Sequence, residues 1–352
     1  MMSLRPIYGH RSLLDRLGGA LASSRFPQAT LFVGAPGVGK QRVALWVAQG
    51  LLCEAGAGPP CGTCNACRQV DGLGHPDLHW FVPIPRPKAG DPDKQVDEAR
   101  ESVGQAIEER RSGIWQRPDG LSSHALASVR LLQRSVWLTP FAGERKVFVL
   151  GDAERLVVQQ ASQEAANALL KVLEEPPSDT TVILTASDPH ALLPTIRSRL
   201  VTIRVPRVTD DDVRAFLTGE LDPPLKGKTL EQRTLLAEGS VGRALRGLGD
   251  AQGPERAAGA LLDAIRQGAA SWLPLVLAQP PWSARGEFTS RLDALAVALR
   301  RELEDSVAHQ TPDTRRRMEA LRRVEATREA AQGNVNPQLA LATLAGELER
   351  LV

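Results

Sequence analysis

Gly34-Ala35-Pro36-Gly37-Val38-Gly39-Lys40-Gln41 has the spacing of a phosphate-binding loop, G-x-x-x-x-G-K-[ST], up to its last residue. In such a loop the glycines let backbone N–H groups point at phosphate oxygens. The lysine reaches the terminal phosphates, and the closing hydroxyl ligates magnesium. Gln41 stands where that hydroxyl belongs. Gly34, Gly37, Gly39, Lys40 and Gln41 are therefore the candidate nucleotide-binding residues; the loop and lysine are compatible with ATP or ADP, while the missing hydroxyl argues against hydrolysis. A second departure lies downstream. The apolar run Lys146-Val147-Phe148-Val149-Leu150 should end in an acidic residue that holds the magnesium shell, and it ends in Gly151-Asp152 instead.

Another group of residues points to metal. Every cysteine of the chain falls within residues 53–67: Cys53, Cys61, Cys64 and Cys67. Thiolates two residues apart on a tight turn can grip one ion, so this run predicts a tetrahedral structural zinc site with no open position for catalysis. A chain expected in the cytoplasm has little use for disulfides. His75 and His79 follow closely, but with four thiolates at hand they read as ordinary polar residues.

These groups need elements to hold them. Ala29-Thr30-Leu31-Phe32-Val33 reads as a buried strand before the loop, and Gln41 to Leu52 as the helix after it, so that strand, glycine loop and helix N-terminus form an anion site. A leading helix carries Leu13, Leu14, Leu17 and Leu21. A further helix covers Gln163 to Glu175, stopped by Pro176-Pro177, and Thr181 to Thr185 is a third buried strand. Strands alternating with helices behind a phosphate loop predict a parallel α/β sheet. Residues 84–120 are rich in Pro, Gly, Asp, Lys and Arg and read as an exposed polar insertion with one helix near Val96 to Arg111. Beyond Val205 only helical patterns occur, ending in a helix opened by Asn336-Pro337. The fold class is thus α/β followed by all-α.

The totals set outer limits. At 352 residues the chain should hold two or three domains. A net charge of +2, with 24% charged and 42% hydrophobic residues, gives no whole-chain field that would call for nucleic acid or a membrane. No run of about 18 apolar residues is present, so neither export nor a membrane span is expected.

Taken in order, these pieces resemble the delta-prime family of clamp-loader subunits of bacterial DNA polymerase III, AAA+ proteins related to the gamma/tau subunit. The most specific segments are Leu193-Pro194-Thr195-Ile196-Arg197-Ser198-Arg199, the helix Asn167 to Pro177, the cysteine knuckle and Asn334 to Ala340. The resemblance implies an AAA+ domain over 1–206 with the knuckle at 53–67, a helical lid over 207–250 and a helical collar over 251–352. It implies a hetero-pentamer with gamma/tau and delta subunits that places the sliding clamp on primer-template DNA, with this chain as a non-hydrolysing stator. The family's Ser-Arg-Cys motif puts Ser198 and Arg199 in place as an arginine finger for a neighbour's ATP site, with Leu200 replacing the cysteine. The water-orienting glutamate is matched by the shorter Asp152, and the sensor-two arginine by Gly242. The knuckle departs by one residue between its first two cysteines. The alternative is an active ATPase of the gamma/tau type, kept open by the intact Gly34, Gly37, Gly39 and Lys40.

Overall fold

Side-chain alternation along the central strands divides the first half of the chain into two layers of core around a sheet. The computed structural model describes residues 4–56, 58–88, 90–111, 122–156, 164–245, 252–279, 285–309, 312–331 and 335–352. Strands β1 (Ala29–Val33), β2 (Leu78–Phe81), β3 (Lys146–Leu150), β4 (Thr180–Ala186) and β5 (Val201–Arg204) pair in the order β2-β3-β4-β1-β5, every pair parallel. β3 and β4 are buried along their whole length, as expected for a parallel sheet covered on both faces.

On one face Val147, Val149, Ile183 and Phe32 pack against α1 (Arg11–Ala22) and α2 (Lys40–Leu51). On the other, Phe148, Leu150, Val182 and Leu184 meet residues of α4 (Pro92–Arg110), α5 (Leu126–Val136) and α6 (Glu164–Glu174). The short α3 (Asn65–Asp71) carries the last cysteine, and α7 (Pro194–Arg197) precedes β5.

Two elements differ from the sequence expectation. The 84–120 insertion is not wholly exposed: Ile84 is buried and bridges to Ser123, closing the base of the excursion, and Val96, Ala99 and Val103 of α4 enter the core. Only the opposite face of α4 is polar. Residues 112–120 of the insertion lie outside the described residues, as do Gln163 and Asn334. The edge strand β5 was not expected, because its Val-Thr-Ile-Arg run is short and mostly exposed.

Past the sheet, Thr209 and Asp212 form a reciprocal capping box that starts α8 (Asp210–Gly219). α9 (Gly227–Ala237) and α10 (Val241–Ala244) complete this first unit. The second unit is formed by α11 (Gln252–Gln267), α12 (Ala269–Leu277), α13 (Arg285–Ala308), α14 (Thr314–Ala330) and α15 (Pro337–Leu348), closed around a core that includes Leu261, Leu292, Leu299, Val324 and Leu344. Asn336 caps α15 by accepting from the Gln338 and Leu339 amides at 3.0 and 3.2 Å.

Candidate functional site

The phosphate loop leaves the C-terminal end of β1, and Gly39 at φ 95° opens α2. Lys40 is buried, and its ammonium donates to the carbonyls of Gly34 and Ala35 at 2.9 and 3.0 Å and to Ser187 Oγ at 2.9 Å. Its donors are thus engaged by its own loop and by the residue following β4.

Gln41 replaces the magnesium-binding hydroxyl in a physical sense as well as in position. Its Nε2 donates to Asp152 Oδ2 at 3.0 Å, and a Cβ added to Gly151 would lie 2.6 Å from Gln41 Oε1 and 2.7 Å from Cδ. The longer amide occupies the volume that any side chain at position 151 would need. The two departures are therefore linked by contact: glycine at 151 leaves the place in which the Gln41 amide lies, and a Cβ there would displace that flexible side chain. Asp152 is held at φ 51°, with its amide donating to Thr185 Oγ1 at 3.1 Å.

Beneath this pair lie further buried polar groups that are only partly satisfied: Gln41 Oε1, His124 Nδ1 and Glu154 Oε2 have no hydrogen-bond partner among the described residues. The buried His124 ring faces the Gly151 carbonyl at 2.7 Å. Burial drives its pKa down to about 4, so the ring is neutral, and because a carbonyl only accepts, Nε2 carries the proton. Glu154 accepts from the Ser187 amide at 3.1 Å, and burial, together with the nearby Asp152 charge, raises its carboxyl pKa. Thr185, Ser187, His124 and Glu154 were not singled out in sequence; no motif marks them, since each is recruited by a strand end or loop that only the fold brings near.

The position matched to a sensor-two arginine is closed by backbone. Gly242 N donates to the Gly37 carbonyl at 2.9 Å, and Ser240 Oγ to that of Pro36 at 2.8 Å. Gly37 sits at φ 78°, and a Cβ at Gly242 would come within 2.6 Å of the Gly37 Cα. No side chain fits there. Arg243 is turned to Glu238, 2.5 Å away.

At the far end of α2 the four cysteine sulfurs all lie within 4.8 Å of one another. Cys53–Cys64 and Cys61–Cys67 are each 3.9 Å apart. A regular tetrahedron with metal–sulfur bonds of about 2.3 Å has edges of about 3.8 Å, so the donor set suits zinc in number, type and spacing. The backbone favours thiolates: Cys64 N donates to Cys61 Sγ and Cys67 N to Cys64 Sγ. Hydrogen bonds from Thr63 and Cys64 draw the exposed Cys61 thiol down to about 6, whereas burial pushes Cys67 up. Gln49 Nε2 donates to the Cys67 carbonyl at 3.0 Å and ties the knuckle to α2. The ring of His79 stacks on Phe148 and His75 Nδ1 accepts from Asp77 N, so neither joins the cysteines.

Ser198 and Arg199 are not brought to the phosphate loop. Ser198 Oγ donates to the Thr195 carbonyl at 3.1 Å, and Arg199 Nη2 pairs with Glu174 Oε1 at 2.6 Å. Leu200, where the family has cysteine, is buried in the core beside Ile196.

Comparison with known proteins adds a second line of observation. The sequence profile of the family described as "DNA polymerase III, delta subunit" matches residues 9–209. The DNA polymerase III subunit delta' of Bacillus subtilis is 30% identical over 191 residues, 54% of this chain and 46% of that protein. Its Pseudomonas aeruginosa counterpart is 35% identical over 194 residues, with the same coverage of both. The subunit tau of Escherichia coli is 28% identical over 243 residues, 68% of this chain and 31% of tau. The chain spans about half the length of the delta' relatives it matches, or less.

Proposed function

The chain belongs to the DNA polymerase III delta-subunit family, and from that premise we propose that it is a delta-prime-type clamp-loader subunit that does not hydrolyse ATP itself. The observation that carries the proposal is the Gln41 amide bonded to Asp152 and filling the space over Gly151. Phosphoryl transfer rests on charge stabilisation by a correctly held magnesium ion, and both anchor positions have become a single packed contact. Lys40, bonded to its own loop, serves the fold in the same way.

In this reading the chemistry takes place on a neighbouring gamma/tau-type subunit, and Arg199 supplies the positive charge in trans. Arginine suits the task by its permanent charge and planar donor fork, and fingers of this kind are worth about 10³ to 10⁵ in rate in well-studied NTPases. Ser198 shapes the turn that presents it. Residues 207–250 act as a lid, which the docking of Gly242 and Ser240 on the loop supports, and 251–352 as a collar that joins subunits. The complex would include gamma/tau and delta subunits and act on the sliding clamp and primed DNA. Cys53, Cys61, Cys64 and Cys67 would hold a structural zinc that cross-links the segment after α2.

The test is magnesium-dependent ATP hydrolysis by the purified chain. No turnover above background is expected. Turnover that Lys40→Ala abolishes would overturn the reading in favour of an active gamma/tau-type ATPase.

A further inference from the structure

The partner of Arg199 is itself informative. Arg199 is gripped at the tip of its guanidinium: Nη1 donates to the Thr195 carbonyl at 2.7 Å and Nη2 pairs with Glu174 at 2.6 Å. The side chain therefore curls back over its own turn, using the atoms that would reach a phosphate on another subunit. The backbone beneath it is fixed, because Ile196 and Leu200 are buried in the core with Leu173, and Arg199 N donates to the Ile196 carbonyl. Only the side chain is free to change partner. Arg197, two residues away, is engaged with His190 Nδ1 at 3.1 Å and offers Glu174 no substitute.

Glu174 is the last residue of α6, where the helix dipole presents its negative end and an acidic side chain is unfavourable. Its place there has no helix-stabilising rationale. It is explained by the cation it faces.

We infer that Glu174 is a positioning residue for Arg199: it parks the guanidinium on its own subunit, and the finger engages by exchanging the Glu174 carboxylate for a phosphate of the neighbour's nucleotide. The inference rests on the reading of Arg199 as a finger. A phosphate carries more charge than a carboxylate and accepts from the same planar fork, so the exchange runs forward once the neighbour is loaded. The hold is weak enough to release, since the two side chains are 34% and 46% exposed and solvent screens such pairs. No bond is made or broken beyond the exchange of hydrogen-bond partners.

The experiment is DNA-stimulated ATPase of the complex reconstituted with full-length wild-type chain, Glu174→Gln, Arg199→Ala or the double variant, at subsaturating ATP. Glu174→Gln keeps the shape and removes the charge. It should raise turnover about 2- to 5-fold, the range expected for losing one exposed ion pair, and Glu174→Asp should fall between it and wild type. In the Arg199→Ala background the Glu174→Gln effect should vanish. If Arg199→Ala lowers turnover but Glu174→Gln leaves it at or below the wild-type rate, the parking role is wrong and the finger stands. A gain from Glu174→Gln that persists without Arg199 also overturns the parking role. If Arg199→Ala changes nothing, both fall.

Discussion

The two ends of α2 carry the two ligand-site signatures of the chain, and they have opposite structures. At its N-terminus the side chains of the phosphate loop are engaged by protein: Lys40 donates to the loop carbonyls and Gln41 to Asp152, while Gly242 N donates to the Gly37 carbonyl. Past its C-terminus four sulfurs converge at tetrahedral spacing, with few contacts other than each other and backbone amides. On the proposed reading, a motif shared with active enzymes persists as a packed piece of fold, while the cysteine cluster keeps a spacing that suits a metal ion. The difference teaches that a side chain bonded within the protein must give up that partner to serve a ligand, whereas donors that already converge need no such exchange.

Breaking the knuckle should have the largest effect. About one zinc per chain is expected by elemental analysis, and Cys64→Ser should bring the content close to zero and lower the melting temperature, because metal binding is folding free energy in such sites. A folded, metal-free wild-type preparation would remove the contrast between the two ends.

The closed end makes a graded prediction. Gly242→Ala sets a Cβ against backbone at 2.6 Å, whereas Gly151→Ala meets the flexible Gln41 side chain at the same distance. Overpacking typically costs about 1–3 kcal/mol, so Gly151→Ala should fall within that range and Gly242→Ala at or above its upper end in chemical denaturation. Gln41→Ala should recover part of the Gly151→Ala loss. Equal costs for the two variants, with no recovery, would argue against the packed contact.

A smaller effect concerns His124 under the loop. Its folded pKa of about 4 lies below the ordinary value near 6.5, so the unfolded chain binds more protons between those values and stability falls as pH drops from about 6.5 towards 4. Denaturation midpoints measured across that window should show a slope that His124→Asn reduces.

Much of this organisation was legible in the residues themselves. The loop, the buried strands and the cysteine cluster are local patterns, and the loss of the hydroxyl at Gln41 and of the acid at Gly151 could be read position by position. What could not be read was that Gln41 and Gly151 are one contact, because the residues between them bring α2 and β3 together only in three dimensions. The burial of α4 was hidden for a different reason: Val96, Ala99 and Val103, continued by the partly buried Ala106 and Ile107, form an apolar stripe within a largely charged helix, and its composition outweighs that stripe. β5 was missed because an exposed edge strand of four mixed residues lacks the alternation that marks a strand. Arg199 was legible through its motif, but its hold on Glu174 depends on α7 packing beside the end of α6.

The central claim is that this chain contributes Arg199 to catalysis elsewhere while its own phosphate loop contributes only to the fold. It is tested most directly by comparing Lys40→Ala and Arg199→Ala in one reconstituted complex with DNA-stimulated ATPase as the readout. Lys40→Ala should leave turnover at the wild-type rate while lowering the stability of the chain by about 1–3 kcal/mol, the cost of leaving buried acceptors unpaired. Arg199→Ala should cut turnover at the site it serves by about 10³-fold or more with assembly intact. Loss of turnover in Lys40→Ala, with Arg199→Ala at the wild-type rate, would contradict the account.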